Sequence, residues 1–278
     1  MNIFEFTLLV WIISAGAGLL GSLTGLGGGI VITPVLTLLF GVDIRYAIGA
    51  TLVAVIATSS GAAAAYVREG YSNIRIGMFL EIATTMGAIA GAFLASKIPT
   101  SALGVIFGSV LLYSAYQSSR SKPDSVRAGA PDRLAERLGM NSSYPTPEGP
   151  RAYLVQRVKT GFGLMFGAGA LSGLLGIGSG AFKVIAMDQA MRVPFKVSTT
   201  TSNFMIGVTA AASAGVYLNR GYIDPALAMP VMLGVLAGSV LGARLLAGAK
   251  TRVLRRLFSL VIVVLSLEMI YQGLTGGL

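Results

Sequence analysis

Neither cysteine nor histidine occurs in the 278 residues, and acidic side chains number only 11. The first absence removes thiol nucleophiles, disulfides and redox pairs. The second removes histidine proton relays, and together they remove Cys/His metal sites. No paired carboxylates flank the glycine-rich segments, so neither an enzyme nor a resident metal or cofactor is expected. Charged residues are scarce as well, 12% of the chain, where a soluble domain carries about 25%.

What fills the chain is apolar. Hydrophobic residues make up 54% and the mean hydropathy is +0.76. Runs at 8–23, 47–67, 76–95, 227–243 and 257–270 approach or reach the span of a bilayer, about 20 residues. The expectation is an all-α polytopic membrane protein. Glu5 precedes the first run and no basic residue does, which argues against a secretory signal peptide. A net charge of +10 would suggest nucleic acid in a soluble protein. Here it reads as cytoplasmic loops obeying the positive-inside rule, with no nucleic-acid partner.

One segment occurs twice. Gly25-Leu26-Gly27-Gly28-Gly29-Ile30 returns as Gly176-Ile177-Gly178-Ser179-Gly180-Ala181, and Tyr66/Tyr217 and Gly70/Gly221 keep the same offset of 151 residues. Apolar segments are expected near 4–24, 29–40, 46–67, 75–96, 102–118, 158–176, 180–191, 197–218, 225–247 and 256–275, about ten in all. Those at 29–40 and 180–191 are too short to cross, at about 1.5 Å per residue, and read as half-helices or arms of re-entrant hairpins. The resulting organisation is an N-terminal transmembrane repeat at 1–118, a cytoplasmic linker loop at 119–157 and a C-terminal repeat at 158–278. The linker holds five prolines and many charges, and is expected to be solvated apart from a short helix at 132–138.

Charge placement sets the orientation. If each glycine turn reverses the chain, most of the 21 Lys and Arg share one side and only Arg45, Lys97 and Arg220 face the other, with Lys183 beside the second turn. If each turn were a mere kink, the second half would flip and the asymmetry would vanish. The positive-inside rule favours the first arrangement. The repeats are then inverted, both termini lie outside and the central loop is cytoplasmic, in the inner membrane of a prokaryotic cell.

Inverted repeats with interrupted helices place a binding site where the interruptions meet. Glycines let the backbone approach a ligand, and a half-helix starting after them presents free N–H groups and a positive dipole end, which suits an anion. Gly27, Gly28 and Gly29 form one such edge; Gly178, Ser179 and Gly180 form the other. Lys183 follows the second break, and an intramembrane lysine calls for a partner, here a bound anion; the alternative is that it snorkels to the outer surface. Hydroxyls and one amide complete the candidate shell: Thr24, Thr58 and Ser59 in the first half, Thr201, Ser202 and Asn203 in the second. The same groups also serve to bond neighbouring helices. Gly87/Gly91 and Gly238/Gly242 read as helix-packing sites. Two carboxylates within apolar runs, Glu81 and Glu268, are candidates for proton coupling, although Glu81 lies close enough to the cytoplasmic end to reach Arg75 or water. A cation exchanger would need acids near the breaks, and none is recognised there.

The stretch Gly25 to Pro34, its degenerate copy Gly176 to Lys183 and the order of segments resemble the TauE/SafE sulfite exporter family, over roughly 3–118 and 158–275. In the copy Ser179 replaces the middle glycine, and Ile185 stands where Pro34 would recur. The resemblance implies export of sulfite or a small organosulfonate such as sulfoacetate. The expected function is a secondary carrier for that anion working by alternating access. A passive anion channel and an uptake carrier for another anion are the alternatives. Coupling to protons or sodium and the oligomeric state stay open.

Overall fold

The computed structural model describes residues 2–24, 29–68, 71–119, 132–146, 148–246 and 251–277. The described residues are mostly helical. The first half runs α1 (Ile3–Thr24), α2 (Gly29–Phe40), α3 (Ile44–Arg68), α4 (Ile74–Ala95) and α5 (Thr100–Ser119). A small cap follows, made of α6 (Arg133–Arg137) and the strands β1 (Ser142–Thr146) and β2 (Gly149–Tyr153). The second half runs α7 (Val158–Leu175), α8 (Gly180–Ile185) continued by a π-helical turn at Ala186–Ala190, α9 (Phe195–Asn219), α10 (Pro225–Leu246) and α11 (Thr251–Thr275). Ile74–Ala95 and Val158–Leu175 have both the length and the composition to cross a membrane, and shorter apolar helical stretches accompany them. The bounds of α3 and α9, and of α4 and α10, differ by the 151 residues that separate the duplicated motifs.

Helices pair across the halves: α1 packs on α10, α4 on α7, α5 on α11 and α3 on α9. Small residues make these approaches close. A Cβ on Gly87 would run into the Phe166 carbonyl oxygen, one on Gly91 into that of Ala170, and one on Gly173 into that of Ala88. Gly238 meets the Ala15 carbonyl in the equivalent way. The expected packing role holds for Gly87, Gly91 and Gly238; the environment of Gly242 lies outside the described residues.

Contacts at the two ends fix the sense of each helix. At one end Arg45 donates to the carbonyls of Ile98 (2.9 Å) and Ala95 (3.5 Å), Arg220 donates to Phe93 O (3.4 Å), and Tyr46 meets Tyr222 edge to face. The start of α3 therefore lies with the end of α9, and the two run in opposite senses. At the other end Asn73, before α4, donates its backbone N–H to Thr201 near the start of α9 (3.0 Å), and Lys196 lies over the Tyr71 ring.

That second end carries the cap, and here the structure departs from the expectation of a solvated linker. The short helix forms where expected, but Ala135, Met140, Tyr144, Tyr153 and Val155 are buried in one apolar cluster with Ile76, Leu80, Val158 and Met191. Asp132 starts α6 by accepting from Leu134 N–H (2.8 Å) and ties it to α7 by accepting from Val158 N–H (2.9 Å). These two bonds hold its carboxyl below the usual carboxylate range. Asn73 Nδ2 donates to Met140 O (2.8 Å) and to the Tyr153 hydroxyl (2.7 Å), and burial raises the Tyr153 hydroxyl above the usual tyrosine value. The hairpin pairs Pro145 with Pro150. Those prolines, read as loop residues, sit in a ribbon whose two strands are both edges, where a missing N–H is tolerated.

Candidate functional site

The second break is built from left-handed backbone. Helix α7 stops at Gly176 (φ 69°), whose N–H donates to Ser172 O (2.8 Å), and the chain passes through Gly178 (φ 69°) and Ser179 (φ 44°) before α8 starts at Gly180. Ser179 is the costly member, because L side chains in this region clash with their own carbonyl. Of the first break, Gly29 is described and buried; Gly27, Gly28 and the Thr24 side chain lie outside the described residues. A Cβ on Gly29 would meet Val55 and Thr51, with the Gly176 carbonyl 3.9 Å away, and one on Gly178 would meet Ile206 and Val55. The two breaks thus abut one another where α3 and α9 cross. From there α2 leads to Phe40, which contacts Phe6 near the start of α1, and the α8 segment leads to Met191 beside the cap.

Lys183 is completely buried, so it does not snorkel. Its Nζ donates to Thr209 Oγ1 (2.6 Å), and the Thr209 hydroxyl lies 2.6 Å from Glu81 Oε1, to which it donates. Thr85 donates to the same carboxylate oxygen (3.3 Å), and Thr84 Oγ1 lies 3.4 Å from Thr209 Oγ1. The expected partner of Lys183 was a bound anion; the structure supplies a hydroxyl and, through it, a carboxylate. Arg75, the expected neighbour of Glu81, donates to Gly139 O (2.9 Å) in the cap instead. The expectation that no acid stands near the breaks is therefore wrong. Glu81 comes from the first half, and only the packing of α4 against α9 brings it to Lys183 on α8.

A lone charge in a dry, apolar core is strongly unfavourable, and removing one partner of a buried pair costs more than the pair gains. The Glu81–Thr209–Lys183 relay meets that constraint by being net neutral. It exists once: 151 residues away from Lys183, Thr209 and Glu81 stand Ile32, Thr58 and Met232. In the sequence Thr209 stands out only as the repeat counterpart of Thr58. The signal that could have found it was the opposite charge of two intramembrane residues together with the apolar character of their counterparts.

The other candidates divide. Ser202 Oγ donates to Gly180 O at the second break (3.2 Å), and Ser59 faces Gly207 at the α3–α9 crossing. Thr58 donates to Ala54 O in its own helix (3.0 Å), and Thr201 receives the Asn73 N–H near the cap end. Asn203 is half-buried on α9. Glu268 is exposed on α11 and accepts from Gln272 (3.0 Å), so it is not brought to the relay. Ser172 Oγ, Ser179 Oγ and Glu81 Oε2 are buried without a hydrogen-bond partner among the described residues. No cluster of three or more metal-ligating side chains occurs among those residues. Among the described residues, the groups gathered around the second break are hydroxyls, backbone, one ammonium and one carboxylate.

A family model for the sulfite exporter TauE/SafE matches residues 10–269. The chain is 28% identical over 279 residues to the "Probable membrane transporter protein YunE" of Bacillus subtilis, covering 97% of this chain and 99% of the relative. It is 26% identical to the "Probable membrane transporter protein MJ0441" of Methanocaldococcus jannaschii, covering 96% and 97%. A "Probable membrane transporter protein" of Xylella fastidiosa is also 26% identical, with 96% of both chains covered. No solved structure matches the chain.

Proposed function

The chain belongs to the sulfite exporter TauE/SafE family and is a membrane transporter, and from that premise we propose that it carries a small sulfur oxyanion or organosulfonate out of the cell by alternating access. Sulfite and sulfoacetate are the substrates of choice. The observation that carries the reading is the meeting of the two glycine breaks at the α3–α9 crossing, beside a fully buried lysine.

In this reading the halves are inverted repeats of about ten membrane segments in the cytoplasmic membrane, with the cap inside and both termini outside. Three observations support it. Equivalent helices share their bounds at a constant offset, α3 and α9 run in opposite senses, and the pairing of α1 with α10 mirrors that of α7 with α4. Charge agrees as well: Arg75, Arg133, Arg137, Arg151, Arg157, Lys159, Arg192 and Lys196 gather at the cap end, while Arg45, Lys97 and Arg220 lie at the other.

The substrate's oxygens would face the backbone of Gly29 and of Gly178 to Gly180, the hydroxyls of Ser179 and Ser202, and the Lys183 ammonium. Rocking of one half against the other around that point would expose it to each side in turn. Calorimetric binding across sulfite, sulfate, sulfoacetate, nitrate and chloride tests the reading. Sulfite or sulfoacetate should bind best, and Lys183→Gln should weaken binding at least tenfold. Unchanged affinity in that variant takes the lysine out of the site, and large unitary currents from the reconstituted protein would replace a carrier with a channel.

A further inference from the structure

The Lys183 ammonium is balanced by Glu81 through the Thr209 hydroxyl. An anion that binds the ammonium adds a second negative charge beside the carboxylate, in surroundings that tolerate not even one unpaired. The conflict disappears if the carboxylate takes up a proton. We propose that Glu81 is the proton-coupling group of the transport cycle, protonated as a monoanion binds at Lys183 and deprotonated as that anion leaves. This rests on the carrier reading of the same site and adds its coupling ion.

Charge balances throughout. The empty site holds one carboxylate and one ammonium; the loaded site holds a neutral carboxylic acid, the ammonium and the anion. The only bond made or broken is the O–H of Glu81, with the proton taken from water on the side to which the site is open and returned on the other. Both forms are net neutral, so both reorient without moving charge, and one proton travels with each monoanion. The anion and proton gradients then decide direction, and an outward anion gradient steeper than the inward proton gradient expels the anion.

The geometry suits the exchange. Glu81 Oε1 holds the bonds from Thr209 and Thr85, while Oε2 is buried without a partner among the described residues and can take the proton with those bonds intact. Lys183 Nζ gives one of its three N–H groups to Thr209 and keeps two for an anion, among the described residues. Among the described residues, few other charged or titratable groups lie on the elements packed around the relay. Of the helices against α4, α7 brings only Lys159, exposed, and α9 brings Lys196, held over Tyr71, and Tyr217, bonded to Leu174 O. On α4 itself Arg75 is engaged with the cap. Near α8, Tyr113 of α5 stacks on Phe182, and Asp188 lies on the π-helical turn beyond.

The experiment uses the full chain in proteoliposomes loaded with sulfite at pH 6, where the monoanion hydrogensulfite predominates, with a pH dye inside and protein-free vesicles to subtract leakage of neutral SO2. Efflux should alkalinise the lumen by about one proton per anion and should not respond to a potassium–valinomycin potential. Glu81→Gln fixes the neutral form, which should allow anion exchange but strand the empty carrier with a bare ammonium. The ratio of labelled-sulfite exchange to net efflux should rise at least tenfold. Efflux that follows the potential without proton movement overturns the proposal, as does an unchanged ratio in the variant. If Glu81→Gln fails to fold, the wild-type proton count and potential dependence decide alone. Saturable sulfite counterflow with neither coupling signature leaves the carrier standing and removes only Glu81; no counterflow at all removes both.

Discussion

Replacing Thr209 by valine keeps the shape of the side chain and deletes the one atom that touches both charges of the relay. Two hydrogen bonds with ionised partners are lost, each worth about 1.5–3 kcal/mol when one partner is charged. Interhelical hydrogen bonds in bilayers average nearer 0.6 kcal/mol, and some of the loss returns if ammonium and carboxylate close the gap. A net destabilisation of about 2–4 kcal/mol follows. At about 2–4 °C per kcal/mol for a chain of this size, the midpoint in detergent should fall by about 4–16 °C. The control is built into the duplication. Thr58, the equivalent residue, bonds among the described residues only to carbonyls of its own helix, so Thr58→Val should cost a few tenths of a kcal/mol. Thr209→Ser should recover most of the loss. A thermal scan of the four proteins in one detergent checks this, and equal shifts for the two valine variants would refute the relay as a structural element.

Three further outcomes are expected. Ser179→Gly relieves a left-handed serine and deletes a buried hydroxyl that has no partner among the described residues, so the melting midpoint should rise by about 2–4 °C for about 1 kcal/mol gained; a fall would mean that the hydroxyl holds the break together. Gly87→Leu drives a side chain into the Phe166 backbone and should abolish a monodisperse elution peak, whereas Gly167→Ala meets nothing within 4 Å and should be neutral or stabilising by up to about 1 kcal/mol. Asp132→Asn should speed amide exchange in α6 and the first turn of α7 at pH 7. Because the native carboxyl sits below its usual value, its contribution is present above the unfolded pKa of about 4 and fades as pH falls through the native one. The difference between variant and wild type should therefore shrink below pH 4, and a constant difference would assign it to packing.

Most of the helical plan was legible because bilayer-length apolar runs and a twofold motif leave few alternatives. The expected 29–40 coincides with α2, and 158–176 overruns α7 by one residue. The positions flanking the breaks were legible for the same reason, since glycine and lysine are out of place in an apolar run. The relay was not, because Glu81 and Lys183 belong to different halves and meet only through the third helix, α9. Nor was the cap: Tyr144 and Tyr153 are its buried anchors, but among prolines and charges two tyrosines carry no periodicity. Thr201 is expected in the substrate shell, and that it receives the N–H of Asn73 was not legible, because that contact depends on where another helix begins.

The crosswise mating of helices has a bearing on biogenesis. Helix α1 leaves the ribosome early, but the surface that fits its Gly18 belongs to Val235 on α10, synthesised more than two hundred residues later. Until then the nascent chain sits in the lipid with an unfilled notch, and a message truncated before residue 225 yields a product whose first helix never finds its mate. Membrane proteases that recognise orphaned segments should clear such fragments, while separately translated halves supplied together should rescue one another.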